Sequence, residues 1–236
     1  GGRAWGVSYS QDGIYLATAD DSAARVWNRR SNRQVTFFRG HSPSVFDVQH
    51  APDGSLLASA SGDCVRVWDA LTGNEQLVLE GHEDEVHSLS FSPDGTRLAS
   101  ASSDRTVRIW DLRTGEALLV LDDHEASVKN VRYSPDGTRL ASSSSTVRVW
   151  DAATGHCLAA LPGALVVAWS PDGDALVFAD EDDPTTLVMW TLTENAVRPG
   201  ISRAKLVVRA PLERAARVDR ARRGLDAAPR APRRLA

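Results

Sequence analysis

The chain has 236 residues, 27 Lys and Arg against 31 Asp and Glu, 42% hydrophobic residues and only two cysteines. That length allows one or two domains, and the lone pair Cys64 and Cys157 excludes a disulfide framework. No apolar run approaches the ~18 residues of a membrane helix and no charged segment leads into a signal-like apolar one, so a cytoplasmic protein without membrane contact is expected.

In chain order, Ala4 to Tyr9 alternates as a strand, Asp12-Gly13 turns the chain, and a run closing on Trp27 follows. Gly40-His41, Asp53-Gly54 and Trp68-Asp69 repeat the succession, and Gly81-His82, Asp94-Gly95 and Trp110-Asp111 repeat it again. Asp123-His124, Asp136-Gly137 and Trp150-Asp151 form a fourth copy; Ala164, Asp172-Gly173 and Trp190-Thr191 form a fifth, more degenerate one. The five tryptophans are separated by 41, 42, 40 and 40 residues, a period that signals a repeat architecture. The clearest copy predicts strands at Val86 to Phe91, Leu98 to Ser102, Thr106 to Trp110 and Ala117 to Leu121. Turns fall at Ser92-Pro93-Asp94-Gly95, Ser103-Asp104 and Arg113-Thr114-Gly115. The unit is a four-stranded antiparallel meander, which cannot bury both faces alone.

Through Gly-His, Ser-Pro-Asp-Gly-x-x-Leu-Ala-Ser, the turn aspartate and Trp-Asp, the chain resembles the WD-repeat β-propeller family over roughly Arg3 to Gly200. The resemblance implies an all-β fold, an array of four-stranded antiparallel blades standing radially around a channel, the first strand of each innermost and the fourth at the rim. Blades are expected at about 3–40, 41–81, 82–123, 124–163 and 164–200, with a basic tail at 201–236. The family also implies a hydrogen-bonded chain in each blade. Here it would join His82, Ser100 or Ser102, Asp104 and Trp110, and in the preceding copy His41, Ser59 or Ser61, Asp63 and Trp68. The fourth copy keeps His124 and Trp150 but has Ser144-Ser145 where the aspartate belongs, and the fifth has Ala164 for the histidine, so these two are expected to be the softer blades.

Five copies fall short of the seven at which this family mostly closes, so an incomplete ring is expected. A fragment lacking upstream blades is the leading expectation, with five-bladed closure and ring completion by a second copy as alternatives; an open ring carries the possibility of self-association. The tail carries 11 Lys and Arg against Glu213, Asp219 and Asp226, a net of +8, which leaves −12 on the first 200 residues. Its prolines and scarcity of large apolar side chains point to disorder or a short helix from Leu212 to Arg223. Without interleaved aromatics, nucleic-acid contact is expected only as nonspecific, salt-sensitive binding by the tail.

The chemistry-bearing patterns are missing: no His-Glu-x-x-His, no Cys-x-x-Cys, no phosphate-cradling glycine loop, no Gly-x-Ser-x-Gly. No enzymatic activity, cofactor or metal is expected. His41, His82 and His124 fall one per blade, too far apart to share an ion; Ser142 to Ser145 reads as a strand and turn; and Asp180-Glu181-Asp182-Asp183 reads as a solvated loop, with a weak calcium contact as the lesser reading. Arg25, Arg66, Arg108 and Arg148, each two before a tryptophan, read as a blade flank with packed stems.

A binding surface remains. The resemblance implies that partners, proteins or peptides, meet the face carrying the loops that join one blade's fourth strand, d, to the next blade's first, a, and each second strand, b, to the third, c. Position by position this selects Trp5, Phe46, His87, Lys129 and Leu165 at the openings of the first strands, with Arg3, Ser44, Glu85 and Ser127 two earlier and Asp20, Gly62 and Ser103 before the turn aspartates. Aromatics and arginine dominate binding hot spots. The implied function is a protein-binding scaffold; the alternative is a regulatory or sensor module of a larger multidomain protein.

Overall fold

The computed structural model describes residues 4–20, 23–38, 40–41, 44–62, 64–162, 164–179, 187–193 and 200–204. Among these described residues there are twenty β-strands in five sheets and no helix. Blade 1 is β1 (Ala4–Tyr9), β2 (Tyr15–Asp20), β3 (Ala24–Asn28) and β4 (Arg33–Phe38). Blade 2 is β5 (Asp47–His50), β6 (Leu56–Ala60), β7 (Cys64–Asp69) and β8 (Glu75–Glu80). Blade 3 is β9 (Val86–Phe91), β10 (Arg97–Ser102), β11 (Val107–Asp111) and β12 (Ala117–Leu121). Blade 4 is β13 (Asn130–Tyr133), β14 (Arg139–Ser143), β15 (Thr146–Asp151) and β16 (Cys157–Pro162). Blade 5 is β17 (Ala164–Trp169), β18 (Ala175–Ala179), β19 (Leu187–Thr193) and β20 (Gly200–Ala204). Every sheet is an antiparallel meander in sequence order.

The outermost strand of blade 5 moves a boundary. β20 pairs with β19 from Met189↔Ala204 to Thr193↔Gly200, so Ile201–Ala204 complete the blade rather than open the tail. Gly-Ile-Ser-Arg-Ala lacks the alternation that marks the other strands. The rest of the tail and Asp180-Glu181-Asp182-Asp183 lie outside the described residues.

The turns follow from local chemistry. Ser92 Oγ donates to Asp94 Oδ1 at 2.6 Å, that carboxylate accepts the Thr96 amide, and Gly95 takes the positive φ of 70° that the reversal demands. The same serine–aspartate pairing recurs at Ser10 and Asp12, Ser134 and Asp136, and Ser170 and Asp172.

Packing between blades supplies the core. Ala58, Ala60, Val65, Val67 and Leu79 of blade 2 meet Val86, Leu89, Leu98 and Trp110 of blade 3 in one buried cluster. The joint between blades 3 and 4 repeats it with Val107, Ile109 and Leu121 against Val131, Leu140 and Trp150. Each blade thus turns its tryptophan face toward the preceding blade and its small, β-branched face toward the next. β1 packs on β5, β5 on β9, β9 on β13 and β13 on β17; among the described residues no comparable packing joins blade 5 to blade 1.

The innermost strands are edge strands, whose unpaired amides must find partners. Side chains of the preceding blade supply them. Ser8 Oγ accepts the His50 amide, Asp47 Oδ2 the Leu89 amide at 2.9 Å, and Ser90 Oγ the Tyr133 amide.

Candidate protein-binding face

Three blades carry a tryptophan-centred chain, and its direction can be deduced from the donors. In blade 3 the Trp110 indole N–H donates to Ser100 Oγ at 2.8 Å, Ser100 Oγ lies 2.7 Å from His82 Nε2, and His82 Nδ1 lies 2.7 Å from Asp104 Oδ2. Because an indole only donates, the serine hydroxyl passes its proton to Nε2 and the imidazole gives Nδ1–H to the carboxylate. Burial pushes the His82 pKa down and outweighs the pull of Asp104, so the ring is neutral; burial also resists ionisation of Asp104, yet hydrogen bonds from His82 and Thr106 hold it at about 2. In blade 2, His41 Nε2 and the Trp68 indole both meet Ser59 Oγ, while Asp63 lies outside the described residues.

The second serine of each strand does something else. Ser61 Oγ donates to the Ser44 carbonyl and Ser102 Oγ to the Asp84 carbonyl, tying the d–a loop to the blade. In blade 4 the aspartate's place is filled: His124 Nδ1 meets Ser144 Oγ at 2.8 Å and Nε2 meets Ser142 Oγ, which accepts the Trp150 indole N–H. The missing carboxylate in blade 4 is thus replaced by a neutral acceptor, which removes the reason given above for expecting this blade to be softer. With no carboxylate beside it, burial and then the Arg148 charge lower the His124 pKa to about 4.

The histidines depend on the glycines before them. Gly81 has φ 142°, and a Cβ there would lie 2.9 Å from Arg108 Nη1 and 3.5 Å from the Trp110 ring. Gly40 stands in the same relation to Arg66 and Trp68. The in-phase arginines are half-buried in these flanks: Arg25 pairs with Asp20, Arg66 with Glu75, and Arg108 lies 5.9 Å from the centre of the Trp110 indole.

This framework fixes the openings of the innermost strands, and there four side chains from four successive blades form one row. Trp5 meets Phe46 edge-on, with ring centres 6.2 Å apart; Phe46 meets His87 edge-on at 5.4 Å; and Lys129 Nζ lies 2.7 Å from His87 Nε2. Trp5 and Lys129 are exposed, Phe46 and His87 half-buried. Ser103 Oγ lies 2.6 Å from His87 Nε2 and 2.9 Å from Ser127 Oγ, and Glu85 Oε2 reaches 4.0 Å from His87 Nε2. Burial first and the Lys129 charge second push the His87 pKa down, which leaves a neutral ring between an aromatic and a cation. Asp20 lies beside this row, its carbonyl accepting the Val45 amide at 3.2 Å and its carboxylate paired with Arg25. The Leu165 side chain and Arg3 lie outside what the structure describes, though Leu165 itself falls in β17.

Sequence reasoning missed Asp47 and Arg132. Asp47 sits on β5 at the position of Gly6, Ser88 and Asn130 in the other blades, nine-tenths buried. Burial pushes its pKa up against the Arg132 charge and the Leu89 and Val48 amides. Arg132 binds Ser88 Oγ and the Leu89 carbonyl, so the two charges brace blades 2, 3 and 4. The signal was a charged residue within an otherwise uncharged buried strand.

Among the described residues no group of three or more His, Cys, Asp or Glu could hold a metal, and no helix is long and apolar enough to cross a membrane. No curated protein matches the chain. Residues 44–205 match the family model described as the IFT122 first beta-propeller, and residues 1–28 match the WD domain, G-beta repeat. The first match alone spans more than half of the chain, in agreement with its motifs and its meander sheets: the chain belongs to the WD-repeat β-propeller family.

Proposed function

We propose that this chain is a non-enzymatic scaffold that binds a protein or peptide across the row Trp5, Phe46, His87 and Lys129. The observation that supports it most is the row itself: equivalent positions of four blades stand edge to edge, aromatic at one end and cationic at the other. Propellers of this family generally bind protein partners, and the family is in general non-catalytic. An aromatic anchor that loses water on binding contributes more than about 2 kcal/mol, whereas an exposed charge contributes less than about 1 kcal/mol. A cytoplasmic setting fits Cys64 and Cys157, which are not joined in a disulfide. A second role, as a regulatory module of a larger multidomain protein, would use the same row with another domain as its partner.

The test is selection of a random peptide library displayed on phage against the full chain, followed by titration of the selected peptide. Phe46→Ala should weaken binding most, Lys129→Glu less, and Arg108→Ala on the flank not at all. Loss of binding in Arg108→Ala with both face variants unaffected would place recognition on the side wall instead.

A further inference from the structure

The two ends of the array expose faces that are buried at every joint between them. In blades 2, 3 and 4 the strand-a residues Val48, Leu89 and Val131 are 0% exposed; their counterpart in blade 1, Val7, is 62% exposed. Trp68, Trp110 and Trp150 are buried, whereas Trp27 is only half-buried, its indole N–H donating to Thr18 Oγ1 at 3.1 Å. A hollow of about 400 Å³ opens on this face, lined by Leu16, Thr18, Trp27, Asn28 and Arg29 among others. At the far end the pattern inverts. Val65, Val107 and Val147, which start the small face of blades 2, 3 and 4, are 0% exposed; their counterpart in blade 5, Leu187, is 41% exposed, with Val177, Ala179 and Met189 beside it half-buried.

These are not two arbitrary apolar patches. One is a tryptophan face and the other a small, β-branched face, and four internal joints show that each is the other's complement. Exposed apolar area of this kind favours association. We propose that the tryptophan face of blade 1, centred on Val7 and Trp27, docks the open face of blade 5, centred on Leu187 and Met189, of a second copy of this chain. The contact reproduces the blade-to-blade joint across two molecules. It is heterologous: each copy offers one surface of each kind, so the joint is used head to tail.

Sedimentation velocity of the full chain over a concentration series provides the test, with tryptophan emission as the local readout. Self-association should grow with concentration and shift emission to the blue, and Trp27→Phe should remove most of that shift. Val7→Asp and Leu187→Asp each place a carboxylate on a side chain that is exposed in the single copy, so the fold is retained, and each should weaken association by about thirtyfold or more. Mixed together, the two variants retain one intact joint, from the blade 1 face of Leu187→Asp to the blade 5 face of Val7→Asp, and should form a one-to-one pair and nothing larger. A chain that stays monomeric throughout the series, for instance because its own residues 205–236 cover the faces, overturns the proposal. So does self-association that Val7→Asp leaves intact. An association abolished by Val7→Asp but not by Leu187→Asp, with no pairing in the mixture, would mean that two tryptophan faces meet each other and would equally overturn it.

Discussion

Blade 3 and blade 5 share a meander topology and differ in what stands behind the tryptophan. In blade 3 the indole, Ser100, His82 and Asp104 form an unbroken chain from the strand to the preceding loop, and Trp110 is buried. In blade 5 the serine's place is taken by Phe178, whose ring stacks on a half-buried Trp190 at 6.4 Å. One blade satisfies a buried donor by a polar relay; the other leaves the tryptophan within reach of water and relies on ring contact. A relay fixes the d–a loop, and with it the opening of the innermost strand, whereas a stack fixes only the tryptophan.

The largest expected effect separates the two tryptophans. Trp110→Ala leaves a cavity and strands the Ser100 and His82 groups, and should cost about 3–5 kcal/mol in denaturant unfolding. Trp190→Ala gives up part of a stack and should cost about 1–2 kcal/mol. Equal losses would break the comparison.

Protonation provides the next contrast. The folded-state pKa of His124, about 4, lies below its ordinary 6.5, so its contribution is complete above pH 6.5 and is lost as the pH falls toward 4, where the unfolded chain takes the proton first. The loss should be on the order of 3 kcal/mol. Melting midpoints taken across that window should fall in the parent and flatten in His124→Asn; His82→Asn should flatten them less, because Asp104 partly offsets the same burial. An unchanged slope in His124→Asn would refute the neutral relay in blade 4.

The smallest effect concerns the hydroxyls. Ser100→Ala leaves the Trp110 N–H and His82 Nε2 without their shared partner and should cost about 1–3 kcal/mol, while Thr18→Ala, beside the half-buried Trp27, should cost well under 1 kcal/mol because water can replace the hydroxyl. Thermal melts of the two variants would sharpen or dissolve the distinction between closed and open blades.

Most of this was legible in the sequence, because each signal recurs in phase. Ser-Pro-Asp-Gly at 92–95 located a turn, and the alternation of Val86 to Phe91 located the innermost strand with the bounds the structure shows. The choice between Ser100 and Ser102 was not legible, since both lie on one strand face and only the position of the d–a loop carbonyl draws Ser102 away. Nor was β20: Gly-Ile-Ser-Arg-Ala carries no alternation of apolar and polar residues to read. The joining of Phe46, His87 and Lys129 into a row was also beyond it, for their side chains meet across blade boundaries about forty residues apart. Asp47 was overlooked for the same reason: the Leu89 amide it serves belongs to the next blade.

Amide hydrogen exchange, resolved by peptide, tests the central claim most directly, that polar relays and closed joints set a hierarchy among otherwise equivalent blades. The account predicts the slowest exchange in β9 to β11, β14 and β15, intermediate exchange in β2 and β3, where the tryptophan face is open, and the fastest in β18 and β19. Uniform protection across all five blades, or blade 5 outlasting blade 3, would contradict it.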